Sequence, residues 1–190
     1  MTTFRSDLRM KFHEYVPLAI RTESPYQPMD DRRISRLLHA ALGLSSELGE
    51  LHEGSLVNKP EYNLTEELGD ITWYVALACD ELGIADDLLI EGIVKEFSPS
   101  LTQSVFDYAV IAIGDLSNQA KRVLFYQAPL NIDEYVNDIR RILAFLTRVP
   151  NWDEAMRKNI LKLAKRYPDR FSTERALIRD LEAEVQVLAE

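Results

Sequence analysis

Ala40-Ala-Leu-Gly-Leu-Ser-Ser-Glu-Leu-Gly-Glu50 is followed, sixteen residues on, by Glu66-Glu-Leu-Gly-Asp-Ile-Thr-Trp-Tyr-Val-Ala76. In both stretches apolar residues recur at intervals of three and four, the helical period, without the alternation a strand requires. Each also holds an acid-Leu-Gly-acid unit. Residues three apart share a helix face, so Glu47 pairs with Glu50 and Glu67 pairs with Asp70. If the two helices fold back on each other through the loop 55–62, the pairs face one another. Four ionised carboxylates at close range repel strongly, and a hard divalent cation relieves that repulsion. A set of oxygen ligands points to Mg²⁺ or Mn²⁺ rather than zinc. Glycine inside a helix costs about 1 kcal/mol relative to alanine, so Gly49 and Gly69 predict close helix approach at both pairs. A single Glu pair at this spacing is ordinary on a solvated face. Two pairs of one form on consecutive helices are a much more specific signal.

The same helical reading extends outward over the whole chain. Glycine is scarce, seven residues with none after Gly114. Asn63-Leu-Thr-Glu66, Ser100-Leu-Thr-Gln103, Asn131-Ile-Asp-Glu134 and Asn151-Trp-Asp-Glu154 have the form of helix-start capping boxes or close variants. The pattern predicts an all-α bundle of about eight helices, at 5–21, 31–56, 63–83, 85–96, 101–126, 131–148, 152–166 and 173–188. Residues 22–30 are the clearest loop.

The 190 residues suit one domain, 1–190, and 46% hydrophobic residues are enough for a real core. Lys plus Arg is 22 and Asp plus Glu is 31, a net charge of −9. The composition excludes disorder as the main state, and the acidic balance argues against a basic grip on a nucleic acid polymer. The longest apolar run, Trp73–Cys79, is seven residues, far below the roughly 20 that a membrane span needs. Arg5, Asp7, Arg9, Lys11 and Glu14 interrupt any signal peptide, and the expected location is the cytoplasm. Cys79 stands alone, which excludes a disulfide framework and a cysteine-built zinc site; its apolar surroundings read as packing.

An internal repeat is visible at low identity. Ala41, Gly43 and Ser46 match Ala112, Gly114 and Ser117, and Asn63, Glu66, Asp70, Ile71 and Ala76 match Asn131, Glu134, Asp138, Ile139 and Ala144. Asp86, Ile93 and Lys95 match Asp153, Ile160 and Lys162. The reading is a duplicated helical unit, 34–100 and 104–171, followed by a C-terminal helix at 173–188; chance likeness between amphipathic helices is the alternative. That last helix, with Leu177, Leu181, Val185 and Leu188 on one face, reads as a packing or oligomer element.

The two acidic stretches resemble the all-α nucleoside triphosphate pyrophosphohydrolases of the MazG-like superfamily, whose signature is Glu-x-x-Glu followed by Glu-x-x-Asp. Asn159-Ile-Leu-Lys162-Leu-Ala-Lys-Arg166-Tyr167-Pro168 resembles that family's Asn-x-x-Lys-Leu-x-x-Arg-Tyr-Pro tail. The resemblance covers most of 31–97 and 151–171. It departs from compact members in one respect, since Asp70 and Lys162 are 92 residues apart. The repeat accounts for the gap. The first copy keeps its acids, with Gly92 standing where the tail asparagine would be. The second keeps the tail but carries Asn118, Lys121 and Tyr135 in place of Glu47, Glu50 and Glu67. The expectation is a composite site, with metal held by the first copy and triphosphate by the second.

The activity implied by the resemblance is Mg²⁺-dependent (Mn²⁺ as a substitute) hydrolysis of a nucleoside or deoxynucleoside triphosphate to the monophosphate and pyrophosphate. Glu47, Glu50, Glu67 and Asp70 are the expected metal ligands and catalytic acids. Asn159, Lys162 and Arg166 share a helix face suited to phosphate oxygens, with Lys59 and Lys121 as further substrate-binding candidates. Trp73 and Tyr74 read as core, with base stacking as the alternative. His13, His39 and His52 lack the Glu-x-x-His spacing of a di-iron bundle. A dUTP or dCTP diphosphatase, a phosphoribosyl-ATP pyrophosphohydrolase and a non-catalytic helical scaffold stay open beside this reading, as does a homodimer.

Overall fold

Asp31 starts the helix that carries the first acid pair: its carboxylate accepts from Arg33 N at 2.8 Å and Ile34 N at 3.2 Å, satisfying two donors that a helix start leaves unpaired. The computed structural model describes residues 9–57, 60–86, 92 and 104–189. Among them are eight helices and no strand: α1 Phe12–Ile20, α2 Arg32–Leu56, α3 Glu61–Leu82, α4 Val105–Tyr126, α5 Ile132–Leu146, α6 Trp152–Arg166, α7 Thr173–Leu177 and α8 Leu181–Ala189. The protein is all-α, as its periodicity predicts. No helix among the described residues is long and apolar enough to cross a membrane. Most of the expected helix at 85–96, the box at Ser100–Gln103 and Lys59 lie outside the described residues.

Local start signals hold at some helices and fail at others. Asn131 caps α5 through Glu134 N at 3.3 Å. The α4 start is a reciprocal box between Ser104 and Asp107, at 3.1 Å in both directions. Asn63 is no cap. Pro60, whose missing N–H costs nothing at a helix start, precedes α3, and Asn63 lies inside the first turns. Asn151 precedes α6 with φ 61° and makes no side-chain cap. The expected helix 173–188 is broken at 178–180, because Asp180 restarts it, accepting from Ala183 N at 3.2 Å.

Helices α2 and α3 fold back on each other, α4 and α5 form a second hairpin, and α2 packs on α4. The Ser45 and Ser117 hydroxyls meet at that contact. Leu37, Leu44, Ile71, Leu77, Leu116, Ile139, Ile142, Leu143 and Leu146 are fully buried between the hairpins, each worth about 1.5–3 kcal/mol on leaving water. Cys79 is buried within the same core. Of the residues matched by the repeat, those at 41–76 and 112–144 fall on these two hairpins or at the start of α5, whereas Asp153, Ile160 and Lys162 lie on α6, and Ile93 and Lys95 lie outside the described residues. Tyr135, which stands where Glu67 does, is buried and donates from its hydroxyl to Leu37 O at 2.6 Å. The matching Asp138 is buried against Arg141 at 3.3 Å.

Helix α1 lies against α3 and α6 and ties them together. Trp73 Nε1 donates to Ala19 O at 3.0 Å and to Thr22 Oγ1 at 3.1 Å. Arg21 donates to Tyr167 O at 3.1 Å and to Asp169 O at 2.6 Å just beyond α6.

Gly69 is a true close approach: a Cβ there would lie 2.9 Å from Asn159 Cβ and 3.2 Å from Ala155 O on α6. The expected approach at Gly49 is absent, with nothing within 4 Å of a Cβ, and nothing in the structure explains that glycine. Gly43 instead makes room for the Tyr74 ring, which a methyl group would overlap. Gly69→Ala is therefore expected to lower stability by about 1–3 kcal/mol through overpacking. Gly49→Ala is expected to raise it by up to about 1 kcal/mol through helix propensity. Urea unfolding midpoints at constant m-value measure both, and equal shifts would contradict the packing at Gly69.

Candidate functional site

Glu47 and Glu50 from α2 meet Glu67 from α3, and one carboxylate oxygen of each lies within 4.8 Å of the others. Spacing of three puts each pair on one stripe of its helix, and the α2–α3 hairpin brings the stripes together, with Glu67 buried, Glu47 half-buried and Glu50 exposed. Burial, then Asp70, Glu50 and Glu67, push the Glu47 carboxyl up to about 8. Burial, then Glu50, Asp70 and Glu66, push Glu67 up to about 7. Ser46 Oγ donates to Glu47 at 3.3 Å and Asn63 Nδ2 donates to Glu67 at 2.9 Å. The carbonyl oxygen of the same Asn63 side chain is buried without a hydrogen-bond partner.

The fourth acid is handled differently. Asp70 receives Lys162 Nζ at 2.7 Å and Asn159 Nδ2 at 2.7 Å on one oxygen. Lys162 is fully buried and also reaches Glu66 at 3.2 Å. This corrects the expectation for α6. Lys162 and Asn159 are not an open phosphate face; both are buried, and they neutralise and orient Asp70. The physical reason is the Gly69 contact, which brings α6 so close to α3 that its inward side chains are sealed from solvent. Tyr15 on α1, which sequence reasoning missed, donates to Asn159 Oδ1 at 2.8 Å and so fixes which end of that amide faces Asp70. Asp70 is thus an ion-paired neighbour of the cluster, while Glu47, Glu50 and Glu67 form the group without a paired cation among the described residues.

The cluster opens into a cavity of about 530 Å³ that Arg166, Arg179 and Glu184 also line, a size in the range of small-molecule sites. One end is aromatic. His39 packs edge-on to Trp73 at 5.8 Å and to Tyr74 at 5.5 Å, and Tyr167 lies 5.4 Å from Phe171. Burial lowers the His39 pKa, which favours a neutral imidazole. Trp73 is buried as expected, but it also borders the cavity, as does half-buried Tyr74. Arg166 lines the cavity with its guanidinium held by Glu184, at 2.9 and 2.6 Å. Lys121 is exposed on α4 and does not line the cavity. The C-terminal segment packs back on this chain: α8 lies on α6 and α3, Leu188 is buried, and Lys158 Nζ donates to Leu188 O at 2.7 Å.

Comparison of the chain with family models, with curated proteins and with solved structures finds no match in any of the three. The chemistry of the site therefore has to be read from its own residues. Three carboxylates held together against their charge, with an orphaned amide oxygen beside them, fit a hard, oxygen-loving dication. The donor set offers neither thiolate nor an unhindered imidazole for a softer metal.

The raised carboxyls set the sign of a pH effect. Below their ordinary value of 4.5, Glu47 and Glu67 are protonated in folded and unfolded chains alike. Above it the unfolded chain ionises first, so the stability they contribute is lost as pH rises to about 8. Glu50, Asp70, Glu66 and Lys162 are the charges that face them. Metal-free protein is expected to melt at a lower temperature at pH 8 than at pH 6. The upward shift on adding Mg²⁺ is expected to grow over the same interval, because binding displaces those protons. A Mg²⁺ shift that shrinks with pH would contradict the cluster's electrostatics.

Proposed function

We propose that this chain is a MazG-like nucleoside triphosphate pyrophosphohydrolase, a cytoplasmic enzyme that hydrolyses a nucleoside or deoxynucleoside triphosphate to the monophosphate and pyrophosphate with Mg²⁺, or Mn²⁺ in its place. The observation that carries the reading is the convergence of Glu47, Glu50 and Glu67 in one cavity with Arg166 and an aromatic end. The three glutamates would hold the metal, which supplies Lewis-acid polarisation of a phosphoryl oxygen and lowers the pKa of water. Within the cluster, a carboxylate orients the attacking water as general base. Lys162 acts through Asp70, holding that side chain in place beside the cluster. Arg166 binds the leaving pyrophosphate with a fork of donors. Tyr74 and Phe171, which line the cavity, offer apolar area for a base.

The test is pyrophosphate release from a panel of canonical and deoxy nucleotides, phosphoribosyl-ATP included, with Mg²⁺ and with chelator. Release confined to dUTP, dCTP or phosphoribosyl-ATP would identify the sibling activities. No release from any nucleotide, together with no Mg²⁺-dependent thermal shift, would overturn the reading in favour of a helical scaffold.

A further inference from the structure

Glu184 is 2% exposed, and among the described residues the hydrogen bonds to its carboxylate come from side chains. It is held by two arginines. Arg166 donates through Nε and Nη2 at 2.9 and 2.6 Å, and Arg179 donates through Nε and Nη2 at 3.2 and 2.5 Å. Against the upward push of burial, these bonds and charges hold the carboxyl at about 2, so it is ionised at any working pH. Arg179 also reaches Glu66 at 3.4 Å, and Arg166, Arg179 and Glu184 line the same cavity as the acid cluster.

Arg166 grips the carboxylate as a fork, one donor to each oxygen, and Arg179 sends both of its donors to the oxygen it shares with Arg166; a phosphate, which also presents oxygens to guanidinium donors, suits the same pair of arginines. The segment that delivers Glu184 is otherwise lightly held. Leu177, Ile178 and Leu181 are 79%, 74% and 57% exposed, and Leu188 is the buried apolar side chain of α7 and α8. Leu188 anchors the C-terminal end of α8, while the N-terminal end is held through the Glu184 contacts, and polar contacts exchange readily for those of an incoming anion. Arg179 sits at the break between α7 and α8 and lines the cavity.

We propose that Arg166 and Arg179 form a polyphosphate-binding clamp facing the acid cluster, and that Glu184 is an internal carboxylate ligand which closes the clamp and is displaced by the substrate's phosphates. Arg179 is thereby a substrate-binding residue, and α8 is a plug that opens on binding. The inference deepens the proposed function in naming phosphates as the ligand, but its test does not depend on turnover.

The probe is inorganic tripolyphosphate, titrated calorimetrically without divalent metal. Glu184→Gln keeps the shape of the side chain and removes its charge. Freed of the internal competitor, it is expected to bind the probe about tenfold tighter than the native chain, the gain that follows when the open state is roughly a tenth populated. Adding Arg179→Ala to that variant is expected to cancel the gain. Hydrogen exchange on the native chain gives a second reading without mutation: amides of 181–189 are expected to exchange faster at saturating tripolyphosphate. Equal or weaker binding by Glu184→Gln overturns the proposal. If that variant does not fold, unchanged exchange in the native chain overturns it instead, as does the absence of probe binding by any form. Tighter probe binding without hydrolysis of any nucleotide would leave the clamp standing and remove the proposed activity. Hydrolysis with no effect at Glu184 would do the reverse.

Discussion

Glu67→Gln is expected to cut Mg²⁺-dependent pyrophosphate release by at least about a hundredfold, equivalent to about 2.7 kcal/mol of transition-state stabilisation. Of the three clustered acids Glu67 is the most buried, at 4% exposed, so no solvent charge replaces it. The amide keeps the volume and can still pair with Asn63, which leaves packing intact. What it removes is a negative charge, and with it both a ligand and part of the repulsion that Glu47 and Asp70 feel. The metal-free variant is therefore expected to melt no lower than the native chain at pH 8, while losing most of its Mg²⁺-induced thermal shift. This pairing separates a ligand from a structural residue. Loss of turnover with the Mg²⁺ shift intact, or retention of both, would remove Glu67 from the metal set.

Lys162→Met is expected to destabilise the fold by about 3 kcal/mol, since breaking a buried ion pair leaves its partner uncompensated. In a chain of this size that corresponds to a fall in Tm of about 10 °C. The Met side chain fills most of the lysine's volume, so the loss is one of charge. Asp70 and Glu66 would face each other without the ammonium that now bridges them at 2.7 and 3.2 Å. The double variant Asp70→Asn/Lys162→Met is expected to recover much of the stability, because both charges leave together, and to stay inactive. Thermal melts of the two single variants and the double variant measure the coupling. Strictly additive losses would mean that Lys162 does not serve Asp70. Charge reversal at Lys162, the natural choice for a residue on an open phosphate face, would place a third acid in a sealed helix contact and report on folding alone.

The acid pairs were legible because helical spacing is a local property. Glu47 with Glu50 and Glu67 with Asp70 share a face at any depth in a protein, and a short loop between their helices leaves little choice of partner. The Asn159-Lys162-Arg166 face was legible for the same reason, but its role was not. Whether a basic helix face meets a ligand or an acid depends on how close the neighbouring helix comes. Here Gly69 decides that by letting α6 approach to contact. The residues missed are those whose partners lie far along the chain: Tyr15 bonds Asn159 across 144 positions and Arg179 reaches Glu66 across 113. No periodicity carries such a pairing. One local signal does mark the break that turns Arg179 towards the cavity: Asp180 ahead of Leu181–Ala189 has the form of a helix N-cap.

The amino-acid sequence by itself determined the all-helical class and the placing of the carboxylates in pairs on two helix faces, because these follow from side-chain period. The tertiary structure alone decided which counter-ion each acid has. Asp70 received a buried lysine, Glu184 received two arginines, and Glu47, Glu50 and Glu67 were left together. That division is set by which helices touch, a consequence of packing volumes at positions such as Gly43 and Gly69, and not of any pattern that a run of neighbouring residues displays.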